Sequence, residues 1–196
     1  TEFHLQTAEQ LAGMAKLIND DTAYFKDKTV YLDNDLDLSG HEWNSIGDGA
    51  NTDVGSFQGV FDGQSHVVYN LYSHEGLKSE NKDNNNNLYR NGLFGSIYNA
   101  TVKNLGIENA DIVIPMKDGS TYGKGILVDW MTHSTIKNCY TTGSITGGSY
   151  IEKYIGGLAG FLNGNNSISQ CYSTAAITGN YDGEYYEEQE GGLEPM

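Results

Sequence analysis

Six aspartates in the first third of the chain, Asp33, Asp35, Asp37, Asp48, Asp53 and Asp62, are the residues best placed to do chemistry. A glycosidic bond is hydrolysed between two carboxylates held about 5 Å apart in a retaining enzyme, or about 6.5–9.5 Å apart in an inverting one. Sequence does not fix such a separation, and an acidic chain must place its carboxylates somewhere, so a solvated surface is the favoured reading. Eliminative cleavage of an anionic polysaccharide needs a cationic groove around a base. The chain has 11 Lys and Arg in all, and its sole arginine, Arg90, has no basic neighbour in sequence.

Metal and nucleophile chemistry fare no better. Asp33-Asn34-Asp35-Leu36-Asp37 is rich in oxygen ligands, but it lacks the glycine at position 6 and the glutamate at position 12 of an EF-hand loop, and Leu36 and Leu38 suit a strand edge. Asp48, Asn51 and Asp53 form a comparable weak calcium candidate. His4, His41, His66, His74 and His133 fall in no HxxxH pattern and form no recognisable triad with Ser and Asp. Cys139 and Cys171 have no CxxC spacing. No catalytic, cofactor-binding or metal-binding residue is therefore assigned.

A formal charge of −15 sets the chain against nucleic acid, and no Lys/Arg cluster makes a local exception. No apolar run approaches the roughly 18 residues that cross a bilayer, so membrane insertion is not expected. With 25 Gly and only 2 Pro, the composition suits a regular fold with many tight turns rather than a disordered tail. A length of 196 residues fits a single domain.

The elements that must position these residues come from an internal repeat. Gly92-Leu93-Phe94-Gly95 is followed by Gly125-Ile126-Leu127-Val128, by Gly157-Leu158-Ala159-Gly160 and by Gly192-Leu193, with spacings of 33, 32 and 35 residues. In phase with it run Thr101-Val102-Lys103-Asn104-Leu105, Thr135-Ile136-Lys137-Asn138-Cys139 and Ser167-Ile168-Ser169-Gln170-Cys171. Ser144-Ile145-Thr146-Gly147 returns as Ala176-Ile177-Thr178-Gly179. These short, β-branched, alternating segments are strands, and a unit of this size cannot bury its apolar face alone. Stacking equivalent strands about 4.8 Å apart gives a continuous core.

The expected fold is all-β, a right-handed parallel β-helix. Val102, Ile136 and Ile168 should point inward, as should Leu105, Cys139 and Cys171. Directly opposed Cβ vectors in a parallel ladder fit disulfide geometry poorly, which favours free buried thiols over a bridge. Asn104, Asn138 and Gln170 share a column and read as a ladder of stacked amides. Tyr140 and Tyr172 lie one repeat apart and form an outward aromatic pair, either a rest for a sugar ring or a cover for a loop.

Residues 1–25 differ in kind. Thr7 and Gln10 make a capping box, and Leu11, Met14, Ala15 and Ile18 fall on one helical face. A short helix over about residues 8–18 should cap the open end of the stack, whose edges would otherwise be unpaired. Residues 26–91 should form the first coils, with a polar loop at 75–91 that leaves the stack. Residues 92–196 carry the Gly-Leu repeats. The acidic run from Asp182 to Glu190 reads as an exposed loop.

The chain resembles the GLUG-repeat family of bacterial secreted and cell-surface proteins, named for Gly-Leu-hydrophobic-Gly. The resemblance rests on Thr7-Ala8-Glu9-Gln10-Leu11, Asp35-Leu36-Asp37-Leu38-Ser39, Trp43 with Ile46-Gly47, the segment from Phe57 to Gly63, and the repeats at Gly92 and Gly157. The chain departs from the pattern at Ile126-Leu127-Val128-Asp129, where the closing glycine is missing, and at Glu194-Pro195-Met196, which follows Gly192. The resemblance implies an extracellular β-helix within a larger surface protein, as in adhesin-like chains and the non-catalytic part of IgA-specific metallopeptidases. The expected role is non-catalytic, an adhesive surface or rigid spacer whose partner is a glycan or a host surface protein. A polysaccharide-active β-helix enzyme, lyase or hydrolase, is the alternative.

Overall fold

The computed structural model describes residues 1–49, 53–79, 88–114, 123–147 and 154–179. The chain winds as a parallel β-solenoid of about four turns. One column of strands runs from Glu2–Leu5 through Thr29–Leu32 and Val60–Asp62 to the starts of Thr101–Val113 and Thr135–Gly147, and ends on Ser167–Ser169. A second column stacks Leu36–Asp37, Val67–Tyr69, residues 106–108 and Tyr172–Ser173 on residues 140–141. A third stacks Tyr72–Ser73, residues 111–112, residues 144–147 and Ala176–Gly179. On the opposite side lie Phe94–Tyr98, Val128–Thr132 and Ala159–Asn163, with Ile46 bridged to Phe94 and Phe57 to Ile97.

The segments from Thr101, Thr135 and Ser167 stack in the expected register, whereas the second leading glycine is one residue out of phase: Gly125 pairs with Gly156, not Gly157. Val102 pairs with Ile136 and Ile136 with Ile168, while Leu105 pairs with Cys139. Val30, Phe61, Val102 and Ile136 are all fully buried, and rings of Phe25, Phe57, Phe61 and Phe94 pack against one another. Ile168 and Ile177 keep the inward register but are 40% and 48% exposed. They lie on the last described coil and are flanked by described neighbours on one side only.

Bends between columns are made by residues in the left-handed region, which costs an ordinary side chain energy and suits Asn and Gly. Asn104, Asn138 and Gln170 have φ of 54°, 53° and 55°. Asn70 and Asn109 repeat the geometry at a second corner with 56° and 57°, and Asn99 and His133 at a third with 48° each. The corner amides bond along the stack: Asn138 Nδ2 donates to Asn104 Oδ1 at 2.9 Å, and Asn104 Nδ2 to Asp62 Oδ1 at 2.9 Å.

The helix spans Ala8–Asn19, one residue beyond the expected end, with Thr7 and Gln10 making both bonds of the capping box. Its buried stripe of Leu11, Met14, Ala15 and Ile18 joins the core of the coils. Asn19 pins its end to the first turn, donating to the Ser45 carbonyl at 3.0 Å and accepting from the Gly47 N–H at 2.8 Å.

Within the segment read as a polar loop, residues 80–87 lie outside the described residues. Its flanks, Leu77–Ser79 and Leu88–Arg90, pair antiparallel. The loop reading fails at its end: Arg90 and Asn91 are 1% and 0% exposed and belong to the interior. The physical reason is a buried counter-charge that the local sequence does not contain. Gly192 and the acidic run from Asp182 lie outside the described residues.

Candidate functional site

The aspartates take separate sets of partners, with Asp33 and Asp62 linked through Gln64. Asp33 accepts from His4 Nδ1 at 2.9 Å and from Gln64 Nε2 at 2.9 Å. Asp35 accepts from the Val67 N–H at 2.9 Å and lies 3.0 Å from His66 Nδ1. Asp37 accepts from Asn70 Nδ2 at 2.8 Å and from the Ser39 N–H at 2.9 Å. Asp62 meets Asn104, the Gln64 N–H and the Lys103 ammonium, the last at 3.1 Å. Asp48 and Asp53 flank residues 50–52, which with Asn51 lie outside the described residues.

These partners stabilise the ionised form. The His4 hydrogen bond leads in holding Asp33 below the usual carboxylate range, the Val67 N–H does so for Asp35, and the Asn70 amide for Asp37. At Asp62 burial opposes ionisation, but Asn104, Gln64 and Lys103 together outweigh it. A glycosidase acid needs the opposite shift, because it must carry a proton near neutral pH. Among the described residues, no three His, Cys, Asp or Glu side chains converge as a metal site.

A constellation that sequence reading missed lies inside the stack. The register that sets Val128 beside Phe94 and Ala159, and Trp130 beside Ser96 and Phe161, puts Asp129 in the column of Gly95 and Gly160. The fully buried Asp129 carboxylate accepts from the N–H groups of Asn91 at 2.7 Å, Gly92 at 3.2 Å and Gly125 at 2.9 Å. Lys124 and Arg90, each 1% exposed, are its cationic neighbours. Burial pushes the Asp129 carboxyl above its ordinary value, and Lys124 and Arg90 oppose that rise.

Arg90 also donates to the Gly49 carbonyl at 2.7 Å and lies 5.7 Å from the Trp130 ring centroid, and the Lys124 ammonium reaches the Tyr89 carbonyl. Gly95 makes room for the arginine, since a Cβ there would lie 2.8 Å from the Arg90 Cβ. The signal was visible as the missing glycine of the second repeat. Sealed from solvent, this hub ties coils together and offers no substrate a way in.

Access to solvent exists along the second and third columns. Tyr140 and Tyr172 stack outward at 5.3 Å with an interplanar angle of 7°, as their spacing led one to expect, and Tyr172 is 59% exposed. The Tyr140 hydroxyl donates to Glu108 at 2.6 Å, and this bond leads in raising its pKa. The ring lies over Gly106, where a Cβ would sit 2.5 Å from Tyr140 Cζ.

Around the next corner two adjoining grooves open. One of about 620 Å³ lies between the helix and the first turn, with Lys16, Asp37, Trp43 and Asn44 among its walls. The other, of about 540 Å³, is walled by Asn70, Tyr72, Asn109 and Asp111, and both share Ser39, His41 and Glu42. Glu42 anchors the far bank by accepting the N–H groups of His74, Glu75 and Gly76 at 2.8, 2.8 and 3.1 Å. Of the five histidines, His41 alone lines the grooves. His74 lies just behind, stacked on Tyr72 at 4.0 Å and 3.0 Å from Asp111. His133 accepts from the Asn165 N–H at 3.3 Å.

No family model matches the sequence, and no curated protein does. Among solved structures, the chain is similar to the crystal structure of a protein from Bacteroides ovatus that is provisionally described as an immunoglobulin A1 protease. The two share 25% identity with a TM-score of 0.65 over 89% of this chain. The match covers 48% of that structure, so this chain spans about half its length. No helix among the described residues is long and apolar enough to cross a membrane.

Proposed function

We propose that the chain is a non-catalytic extracellular module of a larger bacterial surface protein, and that it presents an adhesive surface to a glycan or a host surface protein. The observation that carries this reading is the solvent-facing run of stacked tyrosines, corner amides and adjoining grooves on a backbone held rigid by hydrogen bonds between coils. Its Gly-Leu repeats resemble GLUG repeats, which supports the extracellular placement. The likeness to part of a longer protein described as an immunoglobulin A1 protease supports a module that belongs to a larger, protease-associated chain.

Asp33, Asp35 and Asp37, offered for hydrolysis, are held ionised by hydrogen bonds, which disfavours the polysaccharide-active alternative. Glycan and matrix-protein arrays probed with the whole chain test the reading, and selective capture is expected. Blank arrays would favour a rigid spacer, for which the continuous columns are equally suited. Turnover of a polysaccharide would overturn the non-catalytic assignment.

A further inference from the structure

The groove beside Tyr72, at about 540 Å³, falls in the ~300–1,000 Å³ range of small-molecule sites. We infer that it binds an uncharged pyranose unit of a glycan, with Tyr72 as the stacking face and Asn70 and Asn109 as hydroxyl partners. This rests on the adhesive reading above and names its ligand class.

The aromatic face is available. His74 stacks on Tyr72 at 4.0 Å and 29°, covering one side of the ring, while the residue as a whole is 39% exposed. Tyr72 lines the groove with that exposed surface. The apolar C–H face of a pyranose complements such a surface.

The polar partners are also available and already fixed in place. Asn109 Nδ2 donates to Asn70 Oδ1 at 2.6 Å, and Asn70 Nδ2 donates to Asp37 at 2.8 Å. A carboxamide has two N–H donors and a carbonyl with two lone pairs. The ladder therefore uses one N–H of each amide, and both residues line the groove with hydrogen-bonding capacity to spare. Vicinal sugar hydroxyls, which both donate and accept, match that mixture. Both amides sit on corners at φ of 56° and 57°, so little ordering is needed on binding.

Charge selects against acidic sugars. The groove carries the Asp111 and Glu42 carboxylates, the Asp37 carboxylate closes the amide column beside it, and the chain as a whole bears −15. Of the residues that line this groove His41 is the basic one, with His74 behind it 3.0 Å from Asp111 and Lys16 in the wall of the adjoining groove, where it pairs with Asp20. A uronate, sialate or sulfate would approach against this field.

The test is calorimetric titration of the whole chain with neutral gluco-, manno- and galacto-oligosaccharides and with their uronate counterparts. Tyr72→Ala and Asn109→Gly are compared with Tyr172→Ala, which alters the separate tyrosine stack. Asn109→Gly keeps a left-handed corner while deleting the amide, so it remains informative if Tyr72→Ala disturbs folding. The expected result is binding of at least one neutral series, weakened roughly tenfold by either groove substitution and unchanged by Tyr172→Ala.

Neutral binding that survives both groove variants but falls with Tyr172→Ala would overturn this site while leaving the adhesive reading in place. Binding confined to uronates, or to proteins on the arrays, would overturn the ligand class alone. Blank titrations and blank arrays together would overturn both.

Discussion

Asp129 Oδ2 lies 2.7 Å from the backbone nitrogen of Asn91, so a carboxylate on one coil terminates a backbone donor at the start of the repeat before it. The same carboxylate takes the N–H groups of Gly92 and Gly125 and neighbours two buried cations. Asp129→Asn keeps the volume but places an NH₂ against an N–H and strips Arg90 and Lys124 of their counter-charge. Leaving buried charge uncompensated costs about 3–5 kcal/mol, and a loss of that size is expected in denaturant unfolding. A loss under about 1 kcal/mol would mean that the carboxyl is already neutral in the native protein.

Acid should loosen the same coils from the outside. Asp33, Asp35, Asp37 and Asp62 all have folded pKa values below the ordinary 3.8. A depressed carboxylate pKa contributes stability that is fully present above the unfolded value and is lost as pH falls through the folded one. The denaturation midpoint should therefore hold from neutrality down to about pH 4 and fall steeply below it. Asp62→Asn should flatten that acid limb while lowering stability at neutral pH. A midpoint that rises below pH 4 would contradict the assignment.

The columns that were legible in the sequence are those whose partners recur at nearly constant spacing. Val102, Ile136 and Ile168, and Leu105 with Cys139, fall into register at steps of 34 and 32 residues. The Asp37–Asn70–Asn109 column escaped notice because its members stand 33 and 39 residues apart, the second step stretched by the antiparallel flanks within that coil. Arg90 looked isolated for the same reason: its neighbours Lys124 and Asp129 arrive only with the next coil. Asp129 resembled decay of the glycine pattern, since spacing shows that a column residue has changed and not what its side chain touches. The groove at Tyr72 was illegible because it is shaped by where the corners at Gly40, Asn70 and Asn109 come to rest.

The two cysteines should differ in reactivity. Cys139 is buried and free, and burial leads in pushing its thiol up to about 12. Cys171, one coil on, is only partly buried, and its sulfur accepts the Cys139 N–H at 3.4 Å. Because the thiolate is the reactive form, alkylation of the native protein near pH 8 should label Cys171 and spare Cys139 until denaturant is added. Mass spectrometry of tryptic peptides reads this directly. Equal labelling of both, or none with a mass two hydrogens short, would count against two free thiols in these environments.

Asn138 joins two contributions that substitution can separate. Its backbone sits at φ 53°, and its amide donates to Asn104 at 2.9 Å. Glycine tolerates the backbone geometry but deletes the amide, so Asn138→Gly should cost about 0.5–1.5 kcal/mol, the net worth of one hydrogen bond. Alanine deletes the amide and also bears the left-handed penalty of about 1–2 kcal/mol, so Asn138→Ala should be the more damaging by that margin. Equilibrium denaturation of the two variants gives the difference. Equal losses would show that the corner relaxes out of the left-handed region, and the stacked bends would then owe their geometry to the strands on either side rather than to the residues that occupy them.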